Sequence, residues 1–329
     1  MKPVTWGVLS VASHFVGKIN PNVRKSPLNT IQAIASRSID KARFAATRLG
    51  IPRAYGSYAD LLADKDIEAV YIPLPNHLHA EWVKKAADAG KHVLCEKPFA
   101  MNAAEAQEVF DHAKRKGVLV MESLMYRFHP QWIRAAEIVA SGELGEIHAV
   151  AIFFSYMITD PANVRNILDI GGGGTRDVGS YAVSAARFLV EAEPRRVLSL
   201  MHRDPFLKTD TLSTGVLDFG KARSTFTVGT QTQPWQQVDV VGSGGHLTVH
   251  LPFNPNSDTQ SELTVTAWNG TRTVYTPVAD QFVEVFEAFS RAVRAGGPVP
   301  QPPADTVNNQ KAVDALFRSE KSGTWEPVT

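Results

Sequence analysis

A doubly wound α/β domain followed by an α+β domain is the architecture this sequence implies. Three observations carry that reading. Up to about residue 123, short apolar runs alternate with amphipathic stretches, the pattern of a parallel sheet with crossover helices. From about residue 124, β-branched alternating runs follow one another through short turns with no crossover helix between them, which specifies a largely antiparallel sheet. Two of those runs flank Asn269-Gly270, the strongest short hairpin signal. With 329 residues there is room for two cores. The expected domains are residues 1–123 and residues 124–329.

Val4 to Leu9 is the first strand. The turn after it reads Ser10-Val11-Ala12-Ser13-His14-Phe15. A dinucleotide-binding strand–helix turn has G-x-G-x-x-G there, so that backbone amides approach a pyrophosphate at a helix N-terminus. Ser10 and Ala12 occupy glycine positions, where small side chains still permit close approach, and the Ser10 and Ser13 hydroxyls can donate to phosphate. Ser10, Ala12, Ser13, His14 and Phe15 are therefore candidate cofactor contacts. The second strand, residues 31–35, runs into Ser36-Arg37-Ser38, with Lys41 and Arg43 close behind. NAD-specific domains place Asp or Glu near this point to bind the ribose 2′-hydroxyl. A carboxylate would repel a 2′-phosphate, whereas Arg37 can pair with one. Ser36, Arg37 and Lys41 thus favour NADP(H) over NAD(H).

A helix over residues 39–49, a short strand at 54–55, a helical turn at 58–63 and a strand at 69–72 come next. Pro73-Leu74-Pro75-Asn76-His77-Leu78-His79 then lies at a C-terminal strand edge. Pro73, Leu74, Asn76 and His79 are read as a cofactor-side loop, with Asn76 also capping the following helix. His77 and His79 lack a completing cysteine or carboxylate cluster, so no metal site is expected. That helix, residues 78–89, stops at Gly90. The apolar run Lys91-His92-Val93-Leu94 is a buried strand entering Cys95-Glu96-Lys97-Pro98, and Pro98 ends it for want of an N–H. Glu96 and Lys97 therefore sit at the C-terminal edge of a strand, where open α/β sheets hold their ligands. A helix at 103–116, stopped by Gly117, and a strand at 118–122 complete the domain.

In the second half, Tyr126-Arg127-Phe128-His129-Pro130 leads into a helix at 132–140. Strands are expected at 147–157, 196–201, 212–219, 222–230, 238–241, 246–251, 265–268 and 273–276, with late helices at 282–294 and 304–318. Gly242-Ser243-Gly244-Gly245 precedes another strand and is a turn, not a phosphate loop. Residues 171–181 read Gly-Gly-Gly-Gly-Thr-Arg-Asp-Val-Gly-Ser-Tyr. Behind the glycines, Val178, Ala182, Ala185, Ala186 and Leu189 share one helical face, and Asp177 and Tyr181, four apart, share an adjacent one. A tyrosine beside a carboxylate, reached by a loop that permits close approach, suits acid/base work; a buried helix whose tyrosine finds a hydrogen bond is the plainer alternative. Arg127, Tyr156, Asn163, Arg165 and Trp235 are candidate substrate contacts, since aromatics stack on rings and Asn or Arg bind hydroxyls.

Composition narrows the class. A formal net charge of +1 gives no electrostatic case for nucleic acid or an anionic membrane. No window has the apolar length to span a bilayer, and the N-terminus enters a strand directly. Cys95 is the sole cysteine, which fits a reducing compartment and a cytoplasmic location. Asn269-Gly270-Thr271 is read as a turn.

On Trp6-Gly7-Val8-Leu9-Ser10, Pro73-Leu74-Pro75-Asn76, Cys95-Glu96-Lys97-Pro98, Tyr126-Arg127-Phe128-His129-Pro130 and residues 171–181, the chain closely resembles the Gfo/Idh/MocA (glucose–fructose oxidoreductase) family. The resemblance covers essentially the whole chain and is nearest to the branch of dihydrodiol dehydrogenases and NADP-dependent aldose (xylose) 1-dehydrogenases. It implies an N-terminal Rossmann domain, an open-faced sheet in the second domain, and the nicotinamide between them. It further implies that Lys97 is the catalytic lysine and Tyr181 the acid/base, where many members have histidine. Asp177 matches the helix aspartate, orienting the substrate hydroxyl or the lysine. Association through the open sheet implies a homodimer or larger assembly. The expected activity is hydride transfer between NADP(H) and a carbinol or carbonyl carbon of a sugar, dihydrodiol or related polyhydroxy compound. The alternatives are a reductase of a ketosugar or dicarbonyl compound and a non-catalytic NADP-sensing regulator. Retention of both Lys97 and Tyr181 argues against the sensor.

Overall fold

Strands covered on both faces read as near-continuous apolar runs, and six strands, most of them of this kind, organise the first unit of the chain. They are β1 (Val4–Leu9), β2 (Asn29–Ala35), β3 (Arg53–Tyr55), β4 (Ala69–Ile72), β5 (His92–Cys95) and β6 (Val120–Glu122). In the computed structural model, which describes residues 1–329, all neighbours pair in parallel in the order β3-β2-β1-β4-β5-β6. The order reverses between β1 and β4, so the loops leaving the C-terminal ends of β1, β4 and β5 flank the position where such sheets bind ligands.

Local chemistry sets the helix bounds. Ser38 caps the helix Ile39–Leu49 by accepting from the Lys41 amide, and Gly50 closes it at φ 66°. Asn102 and Gly117 do the same for Ala103–Lys116. The segment after β1 was the least legible. A wide π-type turn over Phe15–Ile19 runs into a short helix, Asn20–Val23, because Gly17 and Pro21 interrupt the apolar periodicity that marks a helix. The helix His79–Asp88 is entered through a 3-10 turn, Asn76–Leu78, whose first residue is Asn76.

Residues Met1–Met125 and Gln281–Val307 form this unit, and residues Tyr126–Asp280 and Asn308–Thr329 form the other. The division therefore departs from a single cut at residue 123. Burial explains the exception: in the helix Gln281–Ala295, Phe286 and Phe289 pack on the Trp6 ring of β1 with centroids 4.8 and 5.7 Å apart. Covering that indole outweighs chain proximity.

The second unit is built on nine strands: β7 (Ile147–Met157), β8 (Arg196–Arg203), β9 (Asp210–Asp218), β10 (Arg223–Gly229), β11 (Gln231–Gly242), β12 (Gly245–Val249), β13 (Ser261–Ala267), β14 (Gly270–Thr276) and β15 (Glu326–Pro327). Their order is β14-β13-β12-β11-β7-β10-β9-β8-β15, and every pair is antiparallel except β7 with β10. The hairpin at Asn269-Gly270 joins β13 to β14, with Ala267 opposite Gly270. Strand β11 is much longer than residues 238–241. Its opening stretch, Gln231-Thr232-Gln233-Pro234, carries no apolar alternation, and pairing with β7 breaks between Gln231 and Trp235 around the proline. One face of the sheet carries the helices Pro130–Ala140 and Ser180–Val190 and the end of Pro303–Ser322. Residues of the other face, among them Leu200, Leu212, Trp235 and Val241, are exposed. No helix is long and apolar enough to cross a membrane.

Candidate active site

The functional residues fall into two groups, one in each unit. In the first, β1 is followed by Ser10, whose φ of 148° lies in the region that favours glycine. The backbone thus keeps the glycine-type turn although the side chain is serine. The helical turns that follow start directly after it, with the Val16 amide bonded to Ala12 O at 3.0 Å. Ala12 and His14 are half-buried and Ser13 is exposed beside them. Phe15 is not available as a side-chain contact: it is wholly buried, with its ring 5.8 Å from that of Tyr71.

At the end of β2, Ser36 is buried and its hydroxyl accepts from the Ser38 amide, shaping the turn. Arg37, Lys41 and Arg43 are exposed on the surface just beyond it. No carboxylate occupies the strand end, so this donor set fits a 2′-phosphate and not a free 2′-hydroxyl.

The turn carrying Lys97 is braced from several sides. Its backbone is tied to both neighbouring strands, Glu96 N to Ile72 O at 3.1 Å and Ser123 N to Cys95 O at 2.7 Å. The Tyr71 hydroxyl donates to Glu96 Oε1 at 2.6 Å, and the Phe99 amide donates to the buried Glu122 carboxylate at 3.0 Å. Lys97 itself is half-buried. Such bracing fixes where an ammonium can reach. Cys95 is fully buried, and burial pushes its thiol pKa well up, so it is an inert filler of the core.

Two of the loop residues act differently from the expectation. His79 cannot touch a cofactor, because its ring is wholly buried and its two nitrogens lie 2.8 Å from the Leu74 and Pro98 carbonyls. Burial pushes its pKa down. The Leu74 side chain is also buried, leaving its carbonyl engaged with that ring, while Pro73 and Asn76 remain half-buried at the loop surface.

In the second unit, the glycine loop and the helix behind it assemble around Asp177. Gly172 N donates to Ile167 O at 3.0 Å and Gly173 N to Arg165 O at 2.8 Å. A Cβ at residue 172 would stand 2.6 Å from both carbonyls, so only glycine lets the Arg165 segment lie this close. Asn163 caps that segment by accepting from the Arg165 amide at 3.0 Å. The arrangement delivers the Arg165 Nε to Asp177 Oδ2 at 2.9 Å, and the Tyr156 hydroxyl donates to the same oxygen at 2.5 Å. Asp177 holds the guanidinium charged. Burial first, and then the Asp177 carboxylate, push the Tyr156 pKa far up. Tyr156 is therefore fixed as a neutral donor and is unsuited to take a proton.

Tyr181 lies just beyond, on the helix Ser180–Val190, after a π-type turn over Thr175–Gly179 that contains Asp177. Its ring is caged by Tyr126, Phe154 and Phe253, with centroids 5.7, 5.8 and 5.4 Å away. Val178, Ala182, Ala185, Ala186 and Leu189 are all buried, as their periodicity requires. The helix start is pinned by a residue that carries no signal in the sequence. Asp210, wholly buried at the start of β9, accepts from Thr175 N at 2.6 Å and from the Ser213 hydroxyl at 2.9 Å.

The remaining substrate candidates are elsewhere. Arg127 is an interior brace: its guanidinium donates to the Ser184 carbonyl at 3.2 Å and to the Ser184 hydroxyl at 2.8 Å, and it covers the Phe188 ring. Trp235 opposes Ser155 on the exposed face of the sheet, whereas the neighbouring Tyr156 points to the helical face. Strand alternation separates the two, which nothing in a run containing Pro234 discloses.

Comparison with known proteins places this geometry in context. Residues 9–124 match the oxidoreductase family, NAD-binding Rossmann fold, of the GFO/IDH/MocA group, and residues 132–248 match the GFO/IDH/MocA C-terminal domain. The chain is 40% identical to an uncharacterized oxidoreductase, ORF334, of Rhizobium meliloti over 100% of both chains. It is also 40% identical to D-xylose 1-dehydrogenase (NADP(+)) 2 of Haloferax volcanii, over 97% of this chain and 98% of that one. Among solved structures it is similar to KijD10, a 3-ketoreductase from Actinomadura kijaniata in complex with NADP and TDP-benzene, with a TM-score of 0.91 at 30% identity over 96% of this chain and 98% of that one. KijD10 has also been solved with a tyrosine replaced by phenylalanine and with a lysine replaced by alanine or glutamate.

Proposed function

The chain belongs to the GFO/IDH/MocA oxidoreductase family, and we propose that it is an NADP(H)-dependent oxidoreductase acting on a carbinol or carbonyl carbon of a sugar, dihydrodiol or related polyhydroxy compound. The observation that carries this reading is the Tyr181 site, a tyrosine caged by three aromatic rings one helical turn from an Asp177 already engaged by Arg165 and Tyr156. The names of its relatives support the substrate class and the cofactor. The tyrosine and lysine replaced in KijD10 are separated by the same number of positions as Lys97 and Tyr181.

When bound, the nicotinamide supplies the hydride acceptor or donor. The side chains manage the proton. In oxidation, the Tyr181 phenolate oxygen takes the hydroxyl proton of the substrate, and in reduction the phenol returns it. An unperturbed tyrosine titrates near ~10, so an ammonium is needed to favour the phenolate at neutral pH. Lys97 supplies that ammonium and polarises the substrate oxygen. Asp177 orients the substrate hydroxyl, with Tyr156 and Arg165 fixing the carboxylate. Both terminal nitrogens of Arg165 remain to bind a second substrate oxygen. Assaying NADP+ reduction against aldoses, inositols and vicinal diols tests the reading. Turnover on one of these classes is expected, and saturable NADP+ binding with no turnover on any would favour the sensor.

Cofactor choice rests on Arg37, with Lys41 and Arg43 adding charge. Arg37→Glu is expected to raise the Kd for NADP+ by about 10- to 100-fold, the worth of a charge-assisted pair plus repulsion, and to leave NAD+ binding near wild type. Equal effects on both cofactors, measured by fluorescence titration, would remove the 2′-phosphate from the account.

The exposed sheet face also supports a homodimer or larger assembly. Trp235 is 58% exposed and Leu200 78% exposed on that face, apolar surface that an association would cover. Trp235→Arg is expected to lower the assembly state seen in sedimentation velocity. A wild-type monomer at all concentrations would contradict this. A cytoplasmic location fits the inert single thiol.

A further inference from the structure

We propose that His79 is a positioning residue, a strut that fixes the Lys97 turn against the loop leaving β4. The inference rests on the oxidoreductase reading for its catalytic consequence, but not for its geometry. The ring sits at the first residue of the helix His79–Asp88, whose Ala80, Val83, Ala86 and Ala87 are buried in the same core. It is wholly buried, and its nitrogens lie 2.8 Å from Pro98 O on one side and 2.8 Å from Leu74 O on the other. Leu74 belongs to the loop that presents Pro73 and Asn76, and Pro98 directly follows Lys97.

The other braces on this turn come from neighbouring strands: Tyr71 of β4 holds the Glu96 carboxylate, and Glu122 of β6 holds the Phe99 amide. They fix the turn to the sheet. His79 reaches instead to the second cofactor-side loop, from the start of a helix. Imidazole is rigid and reaches both carbonyls from two edges of one small ring; in the neutral form that burial favours, it donates its single N–H to one carbonyl and packs its other edge against the second. A phenylalanine fills the space and offers nothing to either carbonyl. A glutamine can likewise donate to one carbonyl, but its flexible side chain does not replace the rigid ring that spans the two loops.

A small displacement of a catalytic ammonium costs turnover far more than it costs cofactor affinity, since the binding contacts are spread over many groups. The expected result for His79→Phe is therefore a split: kcat about 10- to 100-fold lower, with the Kd for NADP(H) within about threefold of wild type. His79→Gln, keeping one donor, is expected to lie between. Hydrogen exchange supplies a readout independent of turnover. The amides of Leu78, Glu96 and Phe99 are bonded to Pro75 O, Ile72 O and the Glu122 carboxylate. In both variants, peptides covering residues 73–78 and 96–101 are expected to lose protection together while the β1 and β2 peptides keep theirs.

Wild-type kcat in His79→Phe would overturn the proposal. So would unchanged protection in both loops, or a loss spread evenly over the unit, which would mark a merely structural residue. If the wild-type protein binds NADP(H) but turns over nothing, the oxidoreductase reading has failed. Exchange then decides the strut alone: paired loss in the two loops upholds it, and unchanged loops refute it. Should His79→Phe fail to fold, His79→Gln carries the same comparisons.

Discussion

Tyr181→Phe is expected to lower kcat by about 10²- to 10⁴-fold, the usual worth of a positioned general acid or base, with the Kd for NADP(H) unchanged. The substitution removes one oxygen and keeps the ring that Tyr126, Phe154 and Phe253 enclose, so the helical core stays packed and the melting temperature should shift little. Tyr156 cannot substitute for it. Burial and the Asp177 carboxylate keep that phenol protonated, and its hydroxyl is already committed to Asp177 Oδ2. Steady-state rates across pH would check the assignment in a second way: the limb attributed to the Tyr181 phenol should vanish in the variant. Near-wild-type kcat would leave the acid/base role with another group.

The largest effect on the fold is expected at Gly173. Its φ is +118°, and a Cβ there would lie 2.0 Å from Asp210 Oδ1. That oxygen cannot retreat freely, because the same carboxylate holds the Thr175 amide and the Ser213 hydroxyl. Gly173→Ala combines a disfavoured backbone with overpacking against a buried charge, a cost of about 3 kcal/mol or more. Gly296→Ala is the control. Its φ of +61° is also positive, but nothing lies within 4 Å, so only the backbone cost of about 1 kcal/mol applies. Thermal unfolding should show Gly173→Ala several degrees below Gly296→Ala, with lower activity per folded molecule because Asp177 and Tyr181 follow this loop. Equal melting temperatures would mean that the loop yields and that Asp210 does not set it.

What was legible in the sequence follows from what sequence patterns encode. The parallel strands, the helices Ile39–Leu49 and Ala103–Lys116, and the hairpin at Asn269-Gly270 were readable because periodicity, caps and turn residues are local. Lys97, Asp177 and Tyr181 are proposed from their place after a strand or glycine loop, and that proposal awaits its tests. Gln281–Ala295 grouped with the wrong half because its partner, Trp6, is nearly the whole chain away. His79 and Phe15 were taken as contacts because a motif gives position along the chain and not the direction of a side chain. Asp210, Glu122 and Ser213 were missed for a related reason. A buried polar residue looks like any other until its partners arrive from distant strands. Trp235 shows the limit for strands, where a proline and one irregular pairing decide which face a residue takes.

The central claim is that Lys97 and Tyr181 act on one substrate oxygen as a unit, and a double-mutant cycle in kcat tests it most directly. Lys97→Met, Tyr181→Phe and the double variant would be compared with wild type on the same substrate, with NADP(H) binding verified for each. Residues that act as a unit are grossly non-additive, so the double variant should be about as slow as the slower single variant. Losses that multiply, each variant slowing the reaction independently of the other, would contradict the pairing and leave two separate residues in place of one catalytic pair.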